Sequence, residues 1–245
     1  MREKLRQLGG GGKVRLDWTG PIASVVLDNP KARNALTPTM FAELGDAVDE
    51  LEDSEGVGLV LRGAGDLAFC AGADLAFVQA ARANPETAAA MCGYMHDLTR
   101  RLRALPLVSV AAIEGGAWGG GAELATATDL RVMSRTARVH FVHARLGLAP
   151  GWGGGVRLPQ FVGRAGAISL LCASEPADGQ RALEMGLVDR LAPPGGTVGA
   201  AESILAPMTA WSKDSVRACK RMVAASDQEL DAAYAAAAQA FCDLW

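Results

Sequence analysis

Short apolar runs alternate with amphipathic stretches along most of the chain. KVRLDW and ASVVLDNP read as two strands joined by a turn at Thr19-Gly20-Pro21. In the next stretch, TPTMFAELGDAVDELEDSEG, the apolar residues Met40, Phe41, Leu44, Val48 and Leu51 recur at a helical period. Thr37 is placed as N-cap, Pro38 in the first helical position and Gly56 at the close. GLVLRGAG and LAFCAGADL follow as short strands, and a second helix is predicted from about Pro85 to Leu105, bounded by Pro106. A third pass gives PLVSVAAIEG as a buried strand, a glycine turn, AELATATDLR as a short helix, then RVMS and RVHFVH as strands. A recurring strand-strand-helix unit predicts an α/β architecture.

Both ends depart from this rhythm. Residues 1–12, MREKLRQLGGGG, read as a flexible amphipathic lead and glycine hinge, so the core is expected to begin near Lys13 and to extend to about residue 190. From Gly163 onward the pattern is helical alone: RAGAISLLCA, ADGQRALEMGL, AAESILAPMTAWSKDSVRACKRMVAA and DQELDAAYAAAAQAFCDLW. Residues 191–245 thus form a C-terminal helical region. Its alanine-rich last helix carries few large side chains, so it is expected to pack on the main domain or on a neighbouring subunit.

Composition narrows the function classes. At 245 residues, half of them hydrophobic, the chain can bury about 70–75% of its unfolded surface and needs neither disulfide nor metal for stability. The five cysteines, Cys70, Cys92, Cys172, Cys219 and Cys242, are odd in number and form no Cys-x-x-Cys pair, which suits reduced thiols and a cytoplasmic compartment. The start lacks the apolar run of a signal peptide, and no stretch offers about 18 uninterrupted apolar residues, so no membrane role is expected. Net charge is −3 and the basic residues are scattered, with RRLR at Arg100–Arg103 read as a solvated helix face; nucleic acid is not an expected partner.

Two glycine-containing turns carry the candidate chemistry. In VSVAAIEGGAWGGGAELATATDL a buried strand runs through Gly119-Gly120-Gly121 directly into a helix bearing Glu123. Glycine lets backbone approach a ligand closely, and the unbonded N–H groups of a helix start point at an anion. The turn is therefore a candidate oxyanion hole, with a packing turn or a phosphate loop as alternatives. The G-x-G-x-x-G and G-x-x-x-x-G-K-[ST] spacings are both absent. In LAFCAGADL a strand ends at Ala71-Gly72 with Asp74 following, and an amide there could complete an oxyanion pair. His140 and His143 precede the loop LGLAPGWGG; a structural hydrogen bond is the expected use of such a histidine, and with only His96 besides, no metal site is expected.

Taken in order, NPKARNAL, FCAGADL, GGAWGGGAELATATDLRV, RLGLAPGWGGGVRL and RALEMGLVDRL closely resemble the enoyl-CoA hydratase (crotonase) superfamily, over about Val14 to Trp245. The resemblance implies a spiral of ββα turns followed by C-terminal helices that assemble trimers, or dimers of trimers. It also implies a thioester enolate held by two backbone amides, here placed at Ala71 and Gly120. Gly72, Ala73, Asp74 and Gly119 are implied as substrate contacts, and Lys31 and Arg33 as contacts to the phosphates of coenzyme A. No cofactor is implied beyond the coenzyme A that the substrate carries.

Hydratases of this superfamily hold a water between two glutamates. Glu123 matches the first, whereas His143 stands at the second position and Val142 where proline is common. Hydration needs an acid and a base about one water, so the broken pair shifts the expectation. Together, AAMCGYMHDLTRRLRALPLVSVAAIEG, GGGAEL and FVHARLGLAPGWGG look most similar to the ethylmalonyl-CoA decarboxylase-like branch, in which a malonyl-type carboxylate is lost and the enolate is held. Glu123 and His143 are then the candidate catalytic residues, orienting the carboxylate or supplying a proton. An enoyl-CoA hydratase or isomerase is the alternative, and a non-catalytic RNA-binding relative a remote one. Family members usually continue in a basic tail beyond the FCDLW region, so an acyl-carrier-protein thioester stands beside acyl-CoA as an expected substrate.

Overall fold

A computed structural model describes residues 1–82, 84–224 and 242. The strands are β1 (Lys13–Thr19), β2 (Ile22–Asp28), β3 (Gly58–Gly63), β4 (Ala68–Cys70), β5 (Val108–Ile113), β6 (Gly116–Trp118), β7 (Leu130–Ser134), β8 (Arg138–His140), β9 (Ala177–Asp178) and β10 (Arg190–Ala192). The helices are α1 (Arg2–Leu8), α2 (Pro38–Glu52), α3 (Leu75–Arg82), α4 (Pro85–Ala104), α5 (Gly120–Ala125), α6 (Gly154–Leu171), α7 (Gly179–Glu184), α8 (Thr197–Leu205) and α9 (Lys213–Ala224).

Two sheets share the strands. One has the order β1-β2-β3-β5-β7-β10, with β1 antiparallel to β2 and every other pair parallel; the second has the order β4-β6-β8-β9, with only β8 and β9 antiparallel. After the first pass, whose strands β1 and β2 both lie in the large sheet, each pass places its first strand in the large sheet and its second in the small one. That is how β3-β4, β5-β6 and β7-β8 are distributed, and the chain winds as the repeated ββα unit implied.

Period-two alternation decides which side chains go where. Leu59, Leu61, Ala111, Ile113 and Met133 face the main core with α2 and α4, whereas Val60, Val110, Ala112 and Val132 face Ala201 and Leu205 of α8. Helix α2 begins as its sequence demands: Thr37 is the N-cap and accepts the Met40 amide on Oγ1, with Pro38 next. It ends at Glu52, four residues before Gly56.

Several expectations are corrected. Residues 1–12 are not a loose lead: α1 packs on α2, burying Leu5, and Arg2 and Arg6 pair with Asp49 and Asp46. The segment after Gly163 is not helical alone, because β9 and β10 each extend a sheet edge within it. α6 begins at Gly154, well before RAGAISLLCA, and is broken at Gly163, whose φ of 67° is non-helical. RVHFVH is a strand only to His140; the carbonyl of His143 accepts the amides of Leu146 and Leu148, which turns the chain into a short 3-10 helix. Helix α3 follows directly on LAFCAGADL. DQELDAAYAAAAQAFCDLW lies outside the described residues except for Cys242.

Candidate active site

The two glycine turns meet. β4 and β6 are neighbours, so the chain leaving each at its C-terminal end enters the same place. A Cβ on Gly72 would stand 3.1 Å from the Trp118 carbonyl oxygen and 3.2 Å from the Gly120 nitrogen, and Gly72 has φ of 93°. Only glycine satisfies both the space and the backbone there.

The first turn is laid along the chain leaving the Asn29–Asn34 loop. Leu36 and Ala73 form a parallel bridge, in which the Leu36 amide donates to Gly72 at 2.8 Å and the Asp74 amide to Leu36 at 2.8 Å. This register corrects the expected donor. The Ala71 N–H is already bonded to the Arg33 carbonyl at 3.0 Å, and the Gly72 N–H faces the Cys70 sulfur at 3.3 Å. Ala73 lies between the two bonded positions of the bridge, so its N–H points the other way and has no acceptor among the described residues. Asp74 has a local role: its Oδ1 accepts the Phe77 amide at 3.0 Å and caps α3.

Gly119 is the N-cap of α5, with its amide on the His140 carbonyl at 2.9 Å and its carbonyl accepting the Glu123 amide. Gly120 is the first helical residue, so its N–H has no intrahelical acceptor. It is partly exposed, as is Ala73. The unbonded amides of Ala73 and Gly120, with that of the buried Gly121 behind Gly120, therefore border the gap that Gly72 leaves open.

Glu123 is buried in one turn of α5 and every lone pair is occupied. Oε1 accepts the Gly151 amide at 3.1 Å and lies 3.0 Å from His143 Nε2; Oε2 accepts the amides of Trp152 at 2.8 Å and Gly154 at 2.9 Å. A carboxylate offers about four acceptor sites. None is left for a substrate or a water, which corrects the expectation that Glu123 handles the substrate carboxylate or its proton. Burial pushes the Glu123 carboxyl up, but His143 and the amides of Gly154 and Trp152 outweigh it and hold it below the usual carboxylate value.

His143 and His140 separate into two roles. His140 Nε2 lies 2.9 Å from the Ser174 carbonyl and 3.1 Å from its hydroxyl, tying β8 to that turn, a structural use. His143 places Nε2 on Glu123 and leaves Nδ1 buried without a hydrogen-bond partner among the described residues. With Nε2 toward a carboxylate, the ring proton is assigned to Nε2, and Nδ1 is closed off from solvent. The ring lies beside the glycine turn: a Cβ on Gly119 would stand 3.8 Å from Nε2.

At the rim, Arg33 is exposed in a left-handed conformation and stacks its guanidinium 5.9 Å over the Trp118 ring, next to the second turn. Lys31 is exposed two residues earlier.

Other residues of the site were not read from the sequence. Asn34, fully buried, accepts the Asn29 amide and donates to the carbonyls of Ala64 and Ala68, which sets the path of the NPKARN loop beside β4. Arg157 is fully buried and donates to the carbonyls of Glu123 and Trp152 and to the hydroxyls of Thr126 and Thr99. It thereby binds α4, α5 and the loop at 151–154 together. His96 is buried on α4, and burial lowers its pKa, partly offset by Glu123. The Cys70 thiol, beside the first turn, is pushed up by burial to about 12 and stays protonated. The signal for the 151–154 cradle was GWGGG itself: a Cβ on Gly154 would stand 2.6 Å from Glu123 Cγ, so that glycine is there to admit the carboxylate.

Among the described residues no three His, Cys, Asp or Glu side chains gather to hold a metal ion, and no helix is long and apolar enough to cross a membrane.

Comparison with known proteins agrees with this geometry. The profile of the family described as Enoyl-CoA hydratase/isomerase matches residues 18–244. The ethylmalonyl-CoA decarboxylase of Xenopus tropicalis is 38% identical over 249 residues, covering 100% of this chain and 83% of the relative; that of Danio rerio is 39% identical over 254 residues with the same coverage. Among solved structures, an enoyl-CoA hydratase from Bacillus anthracis superposes with a TM-score of 0.81 at 29% identity, covering 86% of this chain and 81% of that one. Two interlocked sheets wound by ββα passes, two glycine turns meeting at unbonded amides, and a profile match over nearly the whole chain lead to one conclusion: the chain belongs to the enoyl-CoA hydratase/isomerase (crotonase) family.

Proposed function

We propose that this protein is an acyl-CoA decarboxylase acting on a malonyl-type thioester with a short α-substituent, and that the reaction passes through a thioester enolate. The observation that carries the reading is the saturated Glu123 carboxylate. Hydration needs a base to activate water, and this carboxylate has no lone pair to do so. Decarboxylation needs no base, because the electrons of the breaking carbon–carbon bond themselves form the enolate. The full-length similarity to ethylmalonyl-CoA decarboxylases supports the same choice.

The substrate carboxylate stands perpendicular to the thioester plane, so that the breaking bond overlaps the carbonyl π system. As carbon dioxide leaves, negative charge develops on the thioester oxygen. The N–H groups of Ala73 and Gly120 receive it, and a donor of this kind contributes about 3–4 kcal/mol to lowering the barrier. The α-carbon then takes a proton. That proton originates in solvent, and His143, whose Nε2 lies beside the glycine turn, hands it on while Glu123 holds the ring by the same nitrogen. Glu123 is thus a positioning residue. Arg33 and Lys31 meet the phosphates of coenzyme A at the rim, and the exposed Trp211 and Met222 of the C-terminal region face a neighbouring subunit in a homotrimer or a dimer of trimers.

A second reading, enoyl-CoA hydratase or isomerase chemistry with His143 as the second catalytic group, is favoured by the 3.0 Å approach of His143 to Glu123. Carbon dioxide release from ethylmalonyl-CoA and methylmalonyl-CoA separates the two. Release at a rate that saturates with substrate is expected. Its absence, with turnover of crotonyl-CoA instead, would establish the second reading.

A further inference from the structure

Resting on the reading of Gly120 as a thioester-oxygen donor, we propose that Trp152 is the specificity-determining residue of the site. Its indole is a rigid wall that limits the substituent on the substrate's α-carbon to a short alkyl chain.

The wall is defined by its distance from the donor. Cη2, Cζ3 and Cζ2 of Trp152 lie 2.6–2.7 Å from the point where a Cβ on Gly120 would stand. The ring therefore occupies the side-chain space of the residue that donates to the oxyanion. A Cβ lies about 2.5 Å from its own nitrogen, so these ring atoms lie within about 5 Å of the Gly120 nitrogen. A thioester oxygen accepting from that nitrogen lies about 2.9 Å away, and the α-carbon is two bonds further on. The indole of Trp152, which is 4% exposed, thus lies within reach of the α-carbon, and a substituent directed toward Gly120 meets it within a few carbons.

The indole has no room to retreat. The backbone amide of Trp152 donates to Glu123 Oε2 at 2.8 Å, and its backbone carbonyl accepts Arg157 at 2.8 Å and Thr99 Oγ1 at 2.9 Å, which fixes the Cα that carries the ring. Phe41, fully buried in α2, meets the ring edge-on at 85° with centroids 5.5 Å apart, and Phe77 backs Phe41 at 5.9 Å. Backbone bonds at both ends of the residue and an aromatic stack behind it leave a surface that does not adapt to a longer chain.

The test compares W152A, W152L and W152F with the unmodified protein on ethylmalonyl-CoA and hexylmalonyl-CoA, and by calorimetric titration with the non-reacting butyryl-CoA and octanoyl-CoA. W152A and W152L are expected to raise the long-to-short ratio of kcat/KM by about tenfold or more, and to shift the octanoyl-to-butyryl affinity ratio in the same direction. W152F keeps a flat wall and should stay near the unmodified ratio. Should W152A fail to fold, W152L and W152F retain apolar bulk and carry the comparison. Unchanged ratios in both turnover and binding, in variants that melt like the unmodified protein, overturn the assignment. If the unmodified protein decarboxylates neither substrate but W152L still reverses the binding preference, the decarboxylase reading falls and the wall stands.

Discussion

The turn at Ala71–Asp74 and the turn at Gly119–Glu123 each present an unbonded amide at the gap, but by different routes. In the second, the start of α5 does it: the first residue of any helix has an amide without an intrahelical acceptor, so Gly120 is free by rule. In the first, freedom depends on register. The Leu36–Ala73 bridge consumes the amides on either side, and Ala73 is left because its N–H faces away from the partner chain. The acids that follow the two turns differ in the same spirit. Asp74 caps a helix at the surface, whereas Glu123 is buried and gathers three amides and a histidine. An acid beside a catalytic turn can thus serve the fold, or the orientation of another group, without touching substrate.

The sharpest way to break this comparison is to remove one N–H at a time with proline, which lacks the donor. Ala73→Pro is expected to lower kcat about 10²–10³-fold, the effect of losing one oxyanion donor, with a melting temperature close to that of the unmodified protein. Ala71→Pro loses only the bond to Arg33, and should cost stability of about 1 kcal/mol with a much smaller effect on kcat. The opposite ranking in steady-state assays would return the donor role to Ala71.

Glu123→Gln tests the second turn. The amide group keeps the shape but presents N–H groups to backbone N–H groups, and a loss of about 3 kcal/mol of stability is expected in denaturant titration. Because the folded carboxyl is held below its ordinary value, the unfolded chain binds more protons as pH falls. The stability Glu123 contributes is therefore present above about pH 4.3, the unfolded value, and is lost as pH drops through the lower folded value. The variant should show a flatter acid limb; an unchanged limb would mean that the carboxylate is not held by these bonds.

His143→Ala should lower kcat about 10²-fold. It should also remove facial control of protonation, so that turnover of ethylmalonyl-CoA in D₂O gives both enantiomers of the α-deuterated product instead of one. Retained stereochemistry would place the proton donor elsewhere. The smallest effect is expected from Arg33→Ala: KM for the thioester rises about fivefold, as for a partly exposed charge contributing about 1 kcal/mol, with kcat unchanged.

Much of this was legible because local rules apply. Thr37-Pro38 announced α2, period-two runs announced the strands, and five ordered motifs led to the family. What failed was non-local. Ala73 could not be distinguished from Ala71 without the Leu36 register, since both are alanines flanking one glycine. Glu123 looked like a free acid because its amide donors lie 28 to 31 residues away and its histidine 20. The packing of α1 depends on Asp46 and Asp49, which no periodicity within residues 1–12 reveals. Trp152 was hidden in a run of glycines, where the glycines rather than the indole drew the eye.

The most direct measurement offers ethylmalonyl-CoA and crotonyl-CoA together in D₂O and follows both by mass spectrometry. The expected result is loss of carbon dioxide from ethylmalonyl-CoA, with one solvent deuterium appearing on the α-carbon of the product, while crotonyl-CoA is unchanged. Addition of water to crotonyl-CoA, with ethylmalonyl-CoA left intact, would contradict the account: it would mean that a base activates water in this site despite the saturated carboxylate of Glu123.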